Sequence, residues 1–539
     1  MRAQKKLHIW LPLLFAIIMI AGMSIGYKLR ENTAKPGSLF KMQQSTRLQQ
    51  VMDLIHLKYV DAVSTDTLAD EAIQQMLTKL DPHSIFIPAT TLGEVNEDLQ
   101  GNFQGIGVEF NIFSDTVHII TVLENGPSDK AGLQVGDRLL KVGDSVVAGN
   151  GITTIRIKKL LRGPGASKVI ITVFRNKQSV PVTVERGVIP IPSVDAAYMI
   201  DKQEGYIHIN KFSETTYREF MQALEKLQKN GMQKLMLDLR DNGGGILQEA
   251  IEMADEFLDG TKLIVYTQGN NNPRQEYRCK RDGLFEKGKL VVLVNEGTAS
   301  ASEVLVGALQ DWDRAEIIGR RTYGKGLVQE QYDLTDGSAL RLTVARYYTP
   351  SGRSIQKPYN KGEEDYESDI TNRYHHGEMT NADSNHVQEK GKAYKTQSGR
   401  TVYAGGGIMP DVFVSVDTSV ISRAFARVYG SNTLSNFAYR YFMEHRNELK
   451  NIPTATDLYN QYKNSNPLWN EFSSFTQKED SINIANLPPK DRQFAQQRLI
   501  ALMARQQWRS NGFYEVLNAT DSTVSRGLEE MRSLSAKLP

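Results

Sequence analysis

The chain has 539 residues, too many for one hydrophobic core, so three or four domains are expected. Its 64 Lys and Arg against 62 Asp and Glu leave a formal charge of +2, which excludes the strong positive field of a nucleic-acid binder. Cys279 is the one cysteine, so no intramolecular disulfide forms, and a small buried residue fits it better than a nucleophile.

Residues 7–27 form an apolar stretch of 21 residues behind Arg2, Lys5 and Lys6. About 20 apolar residues cross a bilayer as a helix, and no clear A-x-A cleavage site follows, so a retained membrane anchor is expected over a cleaved signal. Gly22-Met23-Ser24-Ile25-Gly26 spells G-x-S-x-G here, without the strand–turn–helix context a nucleophile needs. Residues 41–100 read helical: Leu48, Val51, Met52 and Ile55 recur at helical spacing, and a second helix is predicted over 68–80. It ends before Asp81-Pro82-His83-Ser84, where His83, in a turn, suits a structural hydrogen bond.

From Gly101 the pattern changes to short strands and turns. Gly105-Ile106-Gly107-Val108 is a glycine-rich loop running into a strand, and Gly132-Leu133-Gln134-Val135-Gly136-Asp137 follows. The combination resembles a PDZ domain of the bacterial protease type over about 98–186. That resemblance makes the Gly105–Val108 loop a site for a chain's terminal carboxylate, with the tail added as a strand at the sheet edge and an apolar pocket beside it. Arg162, in Leu161-Arg162-Gly163-Pro164-Gly165, is either a coupling residue between this domain and the next or a solvated turn arginine.

From about Ile189, strands and helices alternate, which implies an α/β core with crossover connections. A strand at 234–239 runs into Arg240-Asp241-Asn242-Gly243-Gly244-Gly245, a loop able to turn its N–H groups toward a ligand. The Lys-Ser/Thr of a phosphate-binding loop is absent from it. A buried-strand run, 290–294, then leads through a small-residue loop into a helix predicted from Ser300 to Asp311. Ser300 thus fronts a helix, where unpaired N–H groups and the dipole favour negative charge, and the Ala301 N–H is placed to hold an oxyanion. Lys325, in Tyr323-Gly324-Lys325-Gly326, lies 25 positions downstream, with Gln329 four beyond it. A desolvated lysine is a base near neutral pH. The residues alone favour the plainer reading, with Ser300 and Ser302 as helix caps, Glu303 completing a capping box, and Lys325 a solvated loop lysine.

Thr298-Ala299-Ser300-Ala301-Ser302-Glu303, Thr322-Tyr323-Gly324-Lys325-Gly326 with Gln329, the Asp-Leu-Arg-x-Asn-Gly-Gly-Gly run and Leu80-Asp81-Pro82-His83-Ser84 together resemble the carboxyl-terminal processing peptidases, or tail-specific proteases, over about 75–415. The resemblance implies a serine–lysine dyad: Ser300 as nucleophile, Lys325 as general base, Gln329 positioning the lysine, Ala301 with Gly244 or Gly245 as the oxyanion hole, and Asp311 in a supporting role. It also implies N-terminal helices that often dimerise, so a homo-oligomer enters the expectations. No cofactor is required.

Family members run almost directly from a turn like Thr349-Pro350-Ser351-Gly352-Arg353 into a glycine-rich strand like Gly405-Gly406-Gly407-Ile408-Met409-Pro410-Asp411. Here about 42 residues, 357–398, rich in Asn, Glu, Lys and Tyr, intervene, and their polarity predicts a mobile surface excursion. His375, His376 and His386 within it lack metal-site spacing, and no H-E-x-x-H occurs. After Val416 the chain reads helical, with helices predicted at 436–449, 467–476, 491–508 and 523–535.

The expected architecture is multidomain α+β. It has a membrane segment (1–30), an N-terminal helical region (31–97), a PDZ-like domain (98–186), an α/β protease core (187–356 and 399–418) interrupted by the insertion (357–398), and a helical C-terminal region (419–539). The expected function is a membrane-anchored serine endopeptidase outside the cytoplasm that binds apolar protein C-termini. A catalytically silent PDZ scaffold or adaptor is the alternative.

Overall fold

The computed structural model describes residues 15–24, 46–113, 115–381, 391–417 and 422–533. The chain divides into two compact units, with the boundary after Met76. In the first, residues 15–24 are helical with exposed side chains, and the rest of the expected membrane segment lies outside the described residues. Among the described residues no helix is long and apolar enough to cross a membrane. The helix Arg47–Lys58 starts where the Thr46 hydroxyl accepts the Gln49 N–H at 3.3 Å, and a second helix, Thr65–Leu77, reaches the unit boundary.

The expected helical run over 41–100 is interrupted after Leu77. A short strand, Ile85–Ile87, follows the Asp81 turn, and only then does the helix Ala89–Gln100 begin. The Asp81 carboxylate accepts from the N–H groups of His83 and Ser84 and from the Thr343 hydroxyl, fixing this turn to the strand Ala339–Tyr348.

The PDZ region is a sheet in the order Val108–Phe113, Thr116–Val122, Arg138–Val142, Lys168–Arg175, Gln178–Glu185, with a short strand, Ser145–Val146, beside the third. Alternate residues such as Val117 and Ile119, or Ile171 and Val173, turn inward onto Ile157 and Leu161 of the helix Thr154–Leu161. Strand Val108–Phe113 ends the sheet, pairing only on its Thr116–Val122 side among the described residues. A ribbon of Asn102–Gly105 against Gly187–Pro190 closes the region off.

The protease core has two sheets. The larger runs Val194–Met199, Glu204–Ile209, Lys234–Asp238, Lys289–Val294, Glu316–Gly319, Val412–Phe413, parallel after its first pair, as the alternating pattern demands. The helices Thr216–Lys229, Leu247–Asp255 and Ala301–Asp311 cover one face around Leu224, Ala254 and Leu305. The last helix, Ser522–Arg532, covers the other, setting Val524 and Met531 on Met236, Val291 and Ile318. The smaller sheet is antiparallel, and in it Leu327–Asp333 pairs with Ala339–Tyr348.

The insertion departs from expectation. Its described part carries the helices Glu363–Glu367 and Asp369–His375, and Tyr366, Arg373 and Met379 are buried. His386 lies outside the described residues. The C-terminal helices are Arg423–Tyr429, Thr433–Glu444, Arg446–Leu449, Ala455–Tyr462, Asn466–Asp480, Pro489–Asn518 and Ser522–Arg532. The first and fourth have no counterpart in the sequence-based expectation, and the long sixth is broken at Arg509, which has φ +57°.

Candidate active site

Strands Lys234–Asp238 and Lys289–Val294 are parallel neighbours, so the glycine loop and the Ser300 turn leave the sheet together at its carboxyl end, where such sheets place their ligands. Asn242 joins the two loops. Its carbonyl accepts the Ala299 N–H and the Ser302 hydroxyl, each at 3.0 Å, while its side-chain oxygen accepts the Gly244 N–H at 2.9 Å. A Cβ on Gly244 (φ +93°) would stand 2.8 Å from the Ser300 Cβ, and one on Gly245 (φ +140°) would stand 2.0 Å from the Phe212 carbonyl oxygen. Only glycine lets the loop lie this close to the serine.

Ser300 has φ +54° and ψ −116°, a strained conformation for a residue with a Cβ. It immediately precedes the helix Ala301–Asp311. Glu303, wholly buried in the first turn, accepts the Ser300 N–H at 2.9 Å. The same carboxylate accepts the N–H groups of Gly324 at 2.8 Å and Lys325 at 2.9 Å, and the Thr322 hydroxyl. The Tyr347 hydroxyl donates to the carbonyls of Ser300 at 3.1 Å and Lys325 at 2.8 Å. Two buried side chains therefore set the register between the serine turn and the lysine loop. Burial pushes the Glu303 carboxyl up to about 7 in spite of its four donors.

Lys325 Nζ donates to Gln329 Oε1 at 2.9 Å and, among the described residues, not to Ser300 Oγ. Burial, with the nearby Arg341 guanidinium, holds the lysine below its ordinary pKa, against Asp81 and Glu303. Gln329 Nε2 in turn donates to the His83 carbonyl. Ser300, Ala301, Gly244, Gly245, Lys325 and Gln329 all line one cavity of about 640 Å³, with Leu247, Val304, Leu327 and Val328 as its apolar wall. A hydroxyl, a desolvated amine and a helix start facing one cavity suit acyl transfer to water.

Residues 203–368 match the model of peptidase family S41, 118–175 that of a PDZ domain, 21–91 that of the activating protease CtpB N-terminal domain, and 424–509 that of a family of unknown function. The chain is 31% identical to the carboxy-terminal-processing protease of Bartonella bacilliformis over 349 residues, 64% of this chain and 78% of that protein. It belongs to the S41 carboxy-terminal-processing serine proteases. A probable CtpA-like serine protease of Staphylococcus saprophyticus is 34% identical over 57% of this chain and 62% of its own length. Among solved structures, the photosystem II D1 C-terminal processing protease is 28% identical, covering 71% of this chain and 91% of its own, with a TM-score of 0.34. The PDZ domain of a Vibrio cholerae carboxy-terminal protease in complex with peptide is 29% identical, covering 16% and 97%, with a TM-score of 0.15.

The remaining expected site residues of the protease fall into three places. In the PDZ loop, Gly105 is the last residue of a strand paired to Gly187. The turn itself is Ile106 and Gly107, with φ +75° at Gly107, and Val108 opens the edge strand. Arg162 donates to Glu97 at 3.0 Å and lies over the Phe103 ring at 4.5 Å, so it grips the helix Ala89–Gln100 and stays out of the catalytic cavity. Asp311, at the far end of the Ser300 helix, pairs with Arg353 at 2.8 Å, both 1% exposed, and anchors that helix to the turn after Tyr348.

Asn242, Glu303 as a bridge, and Tyr347 are the residues that sequence reasoning missed. The asparagine inside a glycine motif was the available signal, since a loop that bends so sharply needs a side chain to fix it. Among the described residues no group of three or more His, Cys, Asp or Glu is arranged to hold a metal. Burial pushes the Cys279 thiol up to about 12, so it is no nucleophile at neutral pH.

Proposed function

We propose that Ser300 is the nucleophile and Lys325 the general base of this protease, with Gln329 orienting the amine and the N–H groups of Gly245 and Ala301 receiving the oxyanion. The observation that carries this reading is a desolvated amine, tethered by Gln329, on the same cavity as a strained serine at a helix start. Gly244, first expected among the donors, gives its N–H to Asn242 and acts by fitting the loop against Ser300. Neutral Lys325 takes the Ser300 proton as Oγ attacks the peptide carbonyl, then delivers it to the leaving amine. Water, deprotonated by the same amine, hydrolyses the acyl-enzyme.

The substrate class follows from the PDZ region. The edge at Val108–Phe113, beginning at the Ile106–Gly107 turn and paired with no further strand among the described residues, suits an extended tail whose carboxylate meets the turn's N–H groups. Val108, Phe110 and Ile112 share an apolar cluster with Ile157 and Leu160, which favours apolar terminal residues. Full-length protein should cleave a peptide ending in such residues and lose affinity for the same peptide amidated at its C-terminus. Ser300→Ala and Lys325→Ala should each reduce kcat by at least about 10³-fold. Cleavage at the native rate by either variant would refute the dyad.

The 21-residue apolar stretch at 7–27, preceded by basic residues, supports a single-pass anchor with the protease outside the cytoplasm. Carbonate washing of membranes from cells making the full chain should leave it in the pellet. Release into the supernatant would rule the anchor out.

A further inference from the structure

The lysine loop is held on its inner side by Glu303, and its outer side is held by the insertion. Gly324 and Gly326 leave the loop loose by itself, and Gly324 stands at φ +90°. Three successive carbonyls are nonetheless tied. Arg373, 3% exposed, donates to the Thr322 carbonyl at 2.8 Å and the Tyr323 carbonyl at 3.2 Å. The Lys357 N–H donates to the Gly324 carbonyl at 2.9 Å.

The Lys357 ammonium sits between the Tyr323 and Tyr366 rings, 4.0 Å from each centroid, and donates to the Tyr366 carbonyl at 3.0 Å. Asp369 offsets both cations, at 3.2 Å from Lys357 and 2.7 Å from Arg373. The Tyr366 hydroxyl meets His83 Nε2 at 2.7 Å, and the His83 carbonyl is the acceptor that fixes Gln329. An excursion serving only as surface has no reason to bury an arginine and a lysine against the backbone of the base.

Building on the dyad reading, we propose that the insertion is a part of the catalytic apparatus, in which Arg373 and Lys357 are positioning residues that hold the Thr322–Gly324 backbone and thereby set Lys325 against Ser300. Mislocating a catalytic group by about 1 Å costs on the order of 10²-fold in rate, so a glycine-flanked base gains from restraint on both sides.

The test uses full-length protein and measures kcat and KM for one peptide across pH, with thermal unfolding followed in parallel. Arg373→Met should lower kcat about 10–100-fold with KM within about twofold of the native value. It should also move the ascending limb of the kcat profile to higher pH, because a loosened loop admits water to the amine. The groups that face Lys325 are Asp81, His83, Glu303 and Arg341. None of the four is replaced in the variant, and Arg373 is not among the charges acting on Lys325, so a shift of the limb reports changed solvation at the site rather than removal of a charge facing the lysine. Lys357→Met keeps the backbone bond to the Gly324 carbonyl and an apolar stem between the two rings but loses the ammonium that holds the Tyr323 ring, so it should shift kcat and the limb in the same direction by less, and it is the test of the side chain's part if Arg373→Met fails to fold. A lower melting temperature with native kcat and limb in folded variants would make the insertion a fold element only and overturn the proposal. Activity surviving in Ser300→Ala or Lys325→Ala would instead remove the dyad reading itself.

Discussion

His83 sits where two roles meet, its carbonyl restraining Gln329 and its ring bonded to Tyr366. Burial, and then the Lys325 charge, lowers its pKa to about 4 from the ordinary 6.5, with Asp81 opposing. A depressed folded-state pKa contributes stability that is complete above about 6.5 and is lost as pH falls through about 4. Allowing for its partial exposure, the loss amounts to about 2–3 kcal/mol. Urea unfolding at pH 7 and pH 4 should therefore show a smaller acid loss in His83→Asn than in the native protein, by that amount. Equal losses would mean that the ring takes up its proton without strain. Three of the proposed site residues, Ser300, Lys325 and Gln329, were singled out by the resemblance of their motifs to the family's, since the residues alone fit helix caps and a solvated loop lysine. Their conformations were not legible in the sequence. Nothing in Thr-Ala-Ser-Ala announces a left-handed backbone at Ser300, because that strain is imposed by the packing of Gly244 and Glu303 around it.

Among the elements, the parallel strands and their covering helices were the easiest to read, since Leu290–Val294 is continuously apolar and the helix after Ser300 repeats at helical spacing. The insertion misled because composition measures the average side chain, whereas burial depends on pairing. Arg373 and Lys357 enter the interior by finding carbonyls, Asp369 and two tyrosine rings, and of these only Asp369, four residues before Arg373 on one helix, shows as a spacing in the sequence. The strand Leu327–Asp333 had no clear signal either, since it pairs on one side only among the described residues and its burial is mixed. Leu263–Gln268 did carry one, because Leu-Ile-Val-Tyr-Thr is an apolar, β-rich run that lies mostly buried between two strands.

At the scale of the whole second unit, the C-terminal helices join PDZ region and core. Asn436 accepts from Asn111 at 3.1 Å, Tyr439 stacks on Phe113 with centroids 5.2 Å apart, and Arg509 reaches Thr121 at 2.8 Å. On the core side, Asp521 caps the last helix through the Val524 N–H at 2.9 Å and pairs with Arg240 at 2.7 Å. Arg240 is chelated by Asp238 and stands two residues before Asn242, so this pair connects the last helix to the glycine loop. Asp521→Ala should remove a cap worth about 1 kcal/mol and free one side of Arg240. Deuterium uptake is then expected to rise together in 522–532 and 239–246. A rise confined to the helix would show that Asp238 alone secures the loop.

The backbone angles at Ser300 have an evolutionary corollary. Glycine is the side-chain choice that this site's geometry would prefer, whereas serine persists there at a conformational cost of order 1–3 kcal/mol. A descendant relieved of the duty to cut would gain robustness by a single change to glycine, with alanine offering no such relief. On the proposed nucleophile role, loss of chemistry at this position is thus downhill for the fold.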